Sequence, residues 1–145
     1  MTLYGIGLGP GDPALPTVEG KERLESATTI YCPGPLSESV AGHHVDSERL
    51  TRLEFPMTDD RAVLERAWAE AADTVGPKAS SESVAFVTIG DPKVFSTFTH
   101  LRRTLAESYP EVDVEVVPGV SVISAFATAL GVELDSAAFG VREAT

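Results

Sequence analysis

Two apolar runs in this chain end in the same way. Leu3-Tyr-Gly-Ile-Gly-Leu8 passes into Gly9-Pro-Gly-Asp-Pro13, and Val84-Ala-Phe-Val-Thr-Ile89 stops at Gly90-Asp-Pro92. A short apolar run bounded by Gly and Pro reads as a strand covered on both faces. Proline removes the donor that a continuing central strand needs. Each junction therefore sets a tight turn, bare carbonyls and a carboxylate at the carboxyl end of a buried strand. In open α/β sheets that edge is where ligands bind. Two such junctions predict one ligand cradled by backbone from both loops.

The remaining pattern alternates helix and strand. A helix is expected over 15–26, packing through Leu15, Val18 and Leu24, and a strand over 27–32 closed by Pro33-Gly-Pro35. A short helix over 37–44 and an extended piece over 49–55 follow. Thr58 is the expected N-cap of the next helix, with Asp59 and Asp60 at the positive end of its dipole. Ala62, Val63, Ala67 and Ala71 supply its apolar face, and Gly76-Pro77 is read as its stop before a polar loop over 80–83. A helix over 94–108 precedes the alternating Asp113-Val-Glu-Val-Val117, a strand nearer a sheet edge. Pro118-Gly119 turns the chain into a last helix over 121–130, with Gly131 as its C-cap. This order predicts one α/β domain, a mostly parallel sheet flanked by helices, with the first strand central.

Acidic residues number 22 against 11 Lys and Arg, a formal charge of −11. That balance excludes nucleic acid and anionic membrane as expected partners, since both require a basic footprint. A solvated acidic surface and adaptation to high salt both fit it. No basic segment leads into an apolar one at the N-terminus, and no apolar run approaches a membrane span, so a cytoplasmic location is expected. The single cysteine, Cys32, ends an apolar run and reads as a buried structural thiol.

The glycines do not form a nucleotide fingerprint. Counted from Gly5 the sixth position is Pro10, and from Gly7 it is Asp12, so G-x-G-x-x-G is absent, as is a Walker loop. Asp91 is open to two readings, a cap for a helix starting near Pro92 and a ligand contact. Ser96, Thr97 and Ser121 read equally as early helix hydroxyls bonded to backbone. His43, His44 and His100 lack metal-ligand spacing, which leaves capping or surface roles and no expected metal site. Arg102 and Arg103 are assigned to the solvent face of their helix, with contact to a substrate carboxylate as the alternative. No acid–base dyad stands out, so no catalytic residue is assigned.

Three segments together carry a family resemblance: Gly5-Ile-Gly-Leu-Gly-Pro-Gly-Asp-Pro13, Gly90-Asp-Pro92 with Phe95-Ser-Thr97, and Val116-Val-Pro-Gly-Val-Ser-Val-Ile-Ser-Ala125. In this order they resemble the N-terminal domain of the tetrapyrrole (corrin/porphyrin) methylases. The resemblance implies a methyltransferase using S-adenosyl-L-methionine, with Pro10, Gly90, Asp91, Val94, Ser96, Thr97, Ser121 and Val122 at the cofactor. It implies a tetrapyrrole trough lined by Gly7, Gly9, Gly11 and Asp12, a homodimer, and no metal held by the protein. Residues 1–130 would form the N-terminal methylase domain, and 131–145 the connection toward a second α/β domain. Asp91-Pro-Lys-Val-Phe-Ser-Thr-Phe98 is most similar to the branch that methylates C20 of precorrin-2 or cobalt-factor II, in cobalamin biosynthesis. Alternatives are a family member acting on another ring carbon, a diphthine synthase, and a truncated non-catalytic binding or assembly module. A missing dyad is compatible with methyl transfer, because a sulfonium is already a good leaving group and alignment supplies much of the acceleration.

The acidic surface generates a first prediction. Raising NaCl from about 0.1 M to about 2 M shrinks the screening length from about 10 Å to under about 3 Å and should raise the thermal midpoint of the chain. A midpoint that stays level in a salt series followed by circular dichroism would leave the acids as a solvated surface alone.

Overall fold

The computed structural model describes residues 1–135. Its elements are β1 (Thr2–Gly7), α1 (Val18–Ser26), β2 (Ile30–Cys32), α2 (Pro35–Gly42), β3 (Leu50–Arg52), α3 (Arg61–Ser81), β4 (Val84–Thr88), α4 (Thr97–Ser108), β5 (Asp113–Val117) and α5 (Val122–Leu130). The strands pair in the order β3-β2-β4-β1-β5, every pair parallel. Leu3 lies opposite Val84 and Gly7 opposite Thr88, so β1 and β4 end level with each other. The expected parallel α/β architecture is present, but β4 occupies the middle and β1 sits between it and the edge strand β5.

Strand alternation divides the core into two layers. Leu3, Val84 and Phe86 pack with Ala71 and Val75 of α3 and Leu101 and Leu105 of α4. Ile6, Ala85 and Val87 point the other way, against Leu24 of α1 and Val40 and Ala41 of α2. All five residues of β4 are buried, as expected for a strand covered on both faces. Gly5 belongs to this packing: a Cβ there would lie 2.4 Å from the Phe98 ring, so the missing side chain is what lets α4 approach β1.

Several boundaries differ from the sequence reading. Thr17 caps α1, its Oγ1 accepting from Gly20 N–H at 2.9 Å, which leaves Leu15 outside the helix. Val18 and Leu15 are exposed, and only Leu24 of the three expected residues is buried. Proline opens α2 at its first position, where its missing N–H costs nothing, so the helix begins before Ser37. Asp60, not Thr58, caps α3, with Oδ1 accepting from Ala62 and Val63 N–H at 3.0 and 3.3 Å.

The largest difference is at Gly76-Pro77, where α3 continues to Ser81 and takes in the first part of the expected polar loop. Trp68, Ala71, Ala72, Val75 and Ala79 form one buried stripe, and the helix is held across the lost hydrogen bond by that packing. Gly76 also matters there, since a Cβ would meet the Tyr109 ring at 2.5 Å. By contrast α5 has no buried residue, and its Val122, Phe126 and Leu130 are all exposed. No helix among the described residues is long and apolar enough to cross a membrane.

Cys32 is fully buried, as expected of a structural thiol. Burial first, and the Glu38 carboxylate second, push it up to about 12, while the Arg52 cation pulls the other way. Unfolding exposes a thiol that ionises at a lower pH. The native state therefore holds its proton longer than the unfolded one, and stability falls as pH rises from the free-thiol range toward 12. A disulfide reagent at about pH 8 should leave Cys32 unmodified in the folded chain and react fully in denaturant. Fast stoichiometric reaction without denaturant would contradict this burial.

Candidate functional site

Because β1, β4 and β5 are parallel neighbours, their carboxyl ends open onto one edge, and the three following loops meet there. The β1 loop pairs with the β4 loop: Gly90 N–H donates to Gly9 O at 2.7 Å, and Gly9 N–H to Gly90 O at 3.3 Å. Gly119, in the loop after β5, closes the junction. A Cβ on Gly7 would lie 2.6 Å from Gly90 O and 2.8 Å from Gly119 N; one on Gly119 would lie 2.4 Å from Gly90 O. Real side chains do not tolerate such distances, so three loops touch through backbone alone.

Asp91 locks this contact. Its Oδ2 accepts from Gly119 N–H at 3.0 Å and its Oδ1 from Lys93 N–H at 2.8 Å. The carboxylate thus holds the β5 loop to the β4 loop and shapes the turn in which Val94 N–H donates to Asp91 O at 3.1 Å. It does not cap α4, which starts later, at Thr97. That cap is Ser96, whose Oγ accepts from Phe98 N–H and donates to Thr88 Oγ1, both at 3.1 Å. Ser96 is buried and Ser121 half-buried, the latter capping α5 by accepting from Ile123 N–H.

The structure sorts the sequence candidates into groups. Gly7, Gly9, Gly90 and Asp91 form the junction, and Val122 borders it, its Cγ1 being 3.3 Å from where a Gly90 Cβ would stand. Pro10 is half-buried beside the bridge. Gly11 lies out toward α2, with Leu36 the nearest side chain, and the exposed Asp12 turns back to accept from Ala14 N–H at 2.8 Å. Val94, Ser96 and Thr97 continue along the β4 loop, where Ser96 and Thr97 reach a separate cavity of about 550 Å³. Trp68, His100 and Arg103 also line it; the sequence reading does not name Trp68 and places His100 and Arg103 in capping or surface roles. Trp68 carried a signal, since it stands at helical spacing from Ala71, Ala72 and Val75. Gly119 carried none beyond its place in a turn.

The histidines divide as well. His43 Nδ1 donates to Ser39 O and His44 Nε2 to Pro13 O, each at 2.8 Å, both capping or tethering roles. His100 stacks on Trp68 with ring centroids 4.0 Å apart. Among the described residues no group of His, Cys, Asp and Glu is arranged to hold a metal ion.

Gly7, Gly9 and Gly90 are buried and Gly119 half-buried, so a ligand at this edge would meet the residues that border the junction, Pro10, Ser121 and Val122 among them. The loops carry neither the G-x-G-x-x-G nor the Walker pattern that cradles a phosphate, which leaves a ligand of the S-adenosylmethionine kind compatible with this edge.

The family model for tetrapyrrole (corrin/porphyrin) methylases matches residues 2–141. The probable cobalt-precorrin-2 C(20)-methyltransferase of Methanocaldococcus jannaschii is 36% identical over 138 residues, covering 91% of this chain and 58% of that protein. The cobalt-precorrin-2 C(20)-methyltransferase of Salmonella typhimurium is 32% identical over 133 residues, covering 86% of this chain and 55% of the relative. Among solved structures, a cobalt precorrin-4 methyltransferase of cobalamin biosynthesis superposes with a TM-score of 0.69 at 27% identity, over 92% of this chain and 52% of the other. The chain thus spans a little over half the length of the curated relatives it matches.

The backbone junction is testable by stability. Gly119→Ala should cost about 3 kcal/mol in urea unfolding, because a methyl group must displace the Gly90 carbonyl. Asp91→Ala should cost less, about 1.5 kcal/mol, the value of a hydrogen bond to a charged acceptor. Equal and negligible losses would mean that the three loops do not touch in solution.

Proposed function

The chain belongs to the tetrapyrrole (corrin/porphyrin) methylase family, and we propose that it takes part in S-adenosylmethionine-dependent C-methylation in cobalamin biosynthesis. The proposed acceptor is C20 of precorrin-2 or cobalt-factor II, a reading supported by the names of the two relatives described above. The observation that carries it is the glycine junction at the carboxyl edge, where Gly90 and Asp91 sit against Gly119. When bound, S-adenosylmethionine supplies an electrophilic methyl group on a sulfonium.

The chain's own contribution is positional. Asp91, accepting from two backbone N–H groups, fixes the β4 loop against the β5 loop. Pro10, Val94 and Ser121 would border the cofactor there, and Thr97 extends the same loop toward the larger cavity. Ser96 would act indirectly, because its hydroxyl is held between Phe98 N–H and Thr88. Gly7, Gly9, Gly11 and Asp12 form the proposed face toward the tetrapyrrole. The same reading takes the protein as a cytoplasmic homodimer that works with a second α/β domain; of the connection expected over 131–145, residues 136–145 lie outside the described ones. The exposed apolar side chains of α5 are the surface that domain would cover.

Isothermal titration with S-adenosylhomocysteine tests the cofactor half of this reading. Saturable binding is expected, weakened about tenfold or more by Asp91→Ala, since the loops lose their brace. A folded chain that takes up no ligand would favour the non-catalytic module, and product analysis with precorrin-2 would separate C20 from other ring carbons.

A further inference from the structure

From the cavity beyond the β4 loop, and resting on the methylase reading above, we propose that Lys93 and Arg103 bind the acidic side chains at one edge of the tetrapyrrole. The cavity holds about 550 Å³ and is walled by loop residues that follow β2, β3 and β4 and by the first turns of α3 and α4. Its lining contains Lys93, His100 and Arg103 and no Asp or Glu. In a chain with two acids for every base, an acid-free lining runs against composition. Among the described residues neither Lys93 nor Arg103 enters an ion pair, whereas Arg52 and Arg61 each meet a glutamate.

The walls between these cations are aromatic. Trp68 stacks with His100 at an interplanar angle of 6°, and Phe55 and Phe95 line the same cavity. Phe95 is exposed and held at φ 48°, a conformation that a bulky residue adopts only under constraint. It is thereby placed at the cavity lip, in the same loop that carries Asp91 to the glycine junction. Aromatic side chains with cations at their border suit a planar heterocycle bearing carboxylates. An arginine fork pairs with one carboxylate bidentately, and the lysine offers a point charge for a second.

A neighbouring cavity of about 450 Å³ shares Trp68, His100 and Arg103 but contains Glu65 and Glu107, which makes it a poor anion site. The proposed contact is therefore confined to the acid-free side. Of the two neighbouring arginines, the cavity takes in Arg103 and leaves Arg102 outside.

Trp68 is the chain's single tryptophan and reports on the cavity directly. Titration with uroporphyrin, which carries a carboxylate on every peripheral side chain, should quench its fluorescence saturably. Lys93→Ala and Arg103→Ala should each weaken that binding severalfold, while Arg102→Ala, an equal loss of charge outside the cavity, should leave it unchanged. Absence of saturable quenching, or equal weakening by Arg102→Ala, overturns the assignment. S-adenosylhomocysteine titration of the same samples reads the methylase proposal separately. A chain that binds it but not uroporphyrin overturns the cavity site and leaves that proposal standing; one that binds uroporphyrin through Lys93 and Arg103 but not S-adenosylhomocysteine does the reverse.

Discussion

Three parallel strands converge on a point where no side chain fits. Gly7, Gly90 and Gly119 meet within distances that a methyl group would violate, and this contact fixes where the β1, β4 and β5 loops run. Backbone brought so close must satisfy its own donors and acceptors. The Gly9–Gly90 bridge does so for two loops, and the Asp91 carboxylate does so for the third. The junction is closed by backbone packing, with Gly7, Gly9 and Gly90 buried, and it sets the position of the loop residues that border it.

The same economy extends into the core. Thr88 ends β4, bonds Ser96, and Ser96 caps α4, whose Phe98 ring fills the space that Gly5 leaves open on β1. Strand β4, the loop after it, helix α4 and strand β1 are thus coupled through one chain of contacts, most of it buried. A change at Ser96 would loosen the Gly90–Asp91 turn from its far end without touching a ligand. Residues of this kind resemble binding residues in a motif because they sit between them, although what they do is hold the loop.

The strands and the Gly-Asp-Pro turns were legible because they depend on local chemistry: apolar runs, glycine and proline. What the turns hold was not. Asp91 could be placed at a strand end, but its hydrogen bond to Gly119, 28 residues away, is a property of the sheet order. The Gly76-Pro77 stop failed for the complementary reason. Local propensity favours ending a helix there, and a buried stripe from Trp68 to Ala79, with Gly76 against Tyr109, outweighs it. Capping followed geometry in the same manner. Thr58, Asp59 and Asp60 are all plausible caps by type, and Asp60 is selected by where the α3 stripe begins to face the sheet.

The length of α3 then shapes the site. Its 21 residues span about 31 Å, whereas the five residues of β4 rise about 17 Å, so the helix is far longer than the strand it covers. In a right-handed parallel crossover the helix starts at the carboxyl edge and runs back toward the start of the next strand. The buried stripe anchors the part from Trp68 onward, and the first turns, with Leu64 and the indole edge, stand beside the loops beyond the sheet. A helix ending at Val75 would have kept the same N-terminal wall but lost Ala79 and the packing of Gly76 against Tyr109. Continuation through Pro77 therefore strengthens the distant hold on a helix whose opposite end forms the aromatic wall. The cavity and the glycine junction lie on two sides of one loop, residues 91–96, and are positioned by different means: the junction by backbone contact, the cavity by a long helix held at its far end.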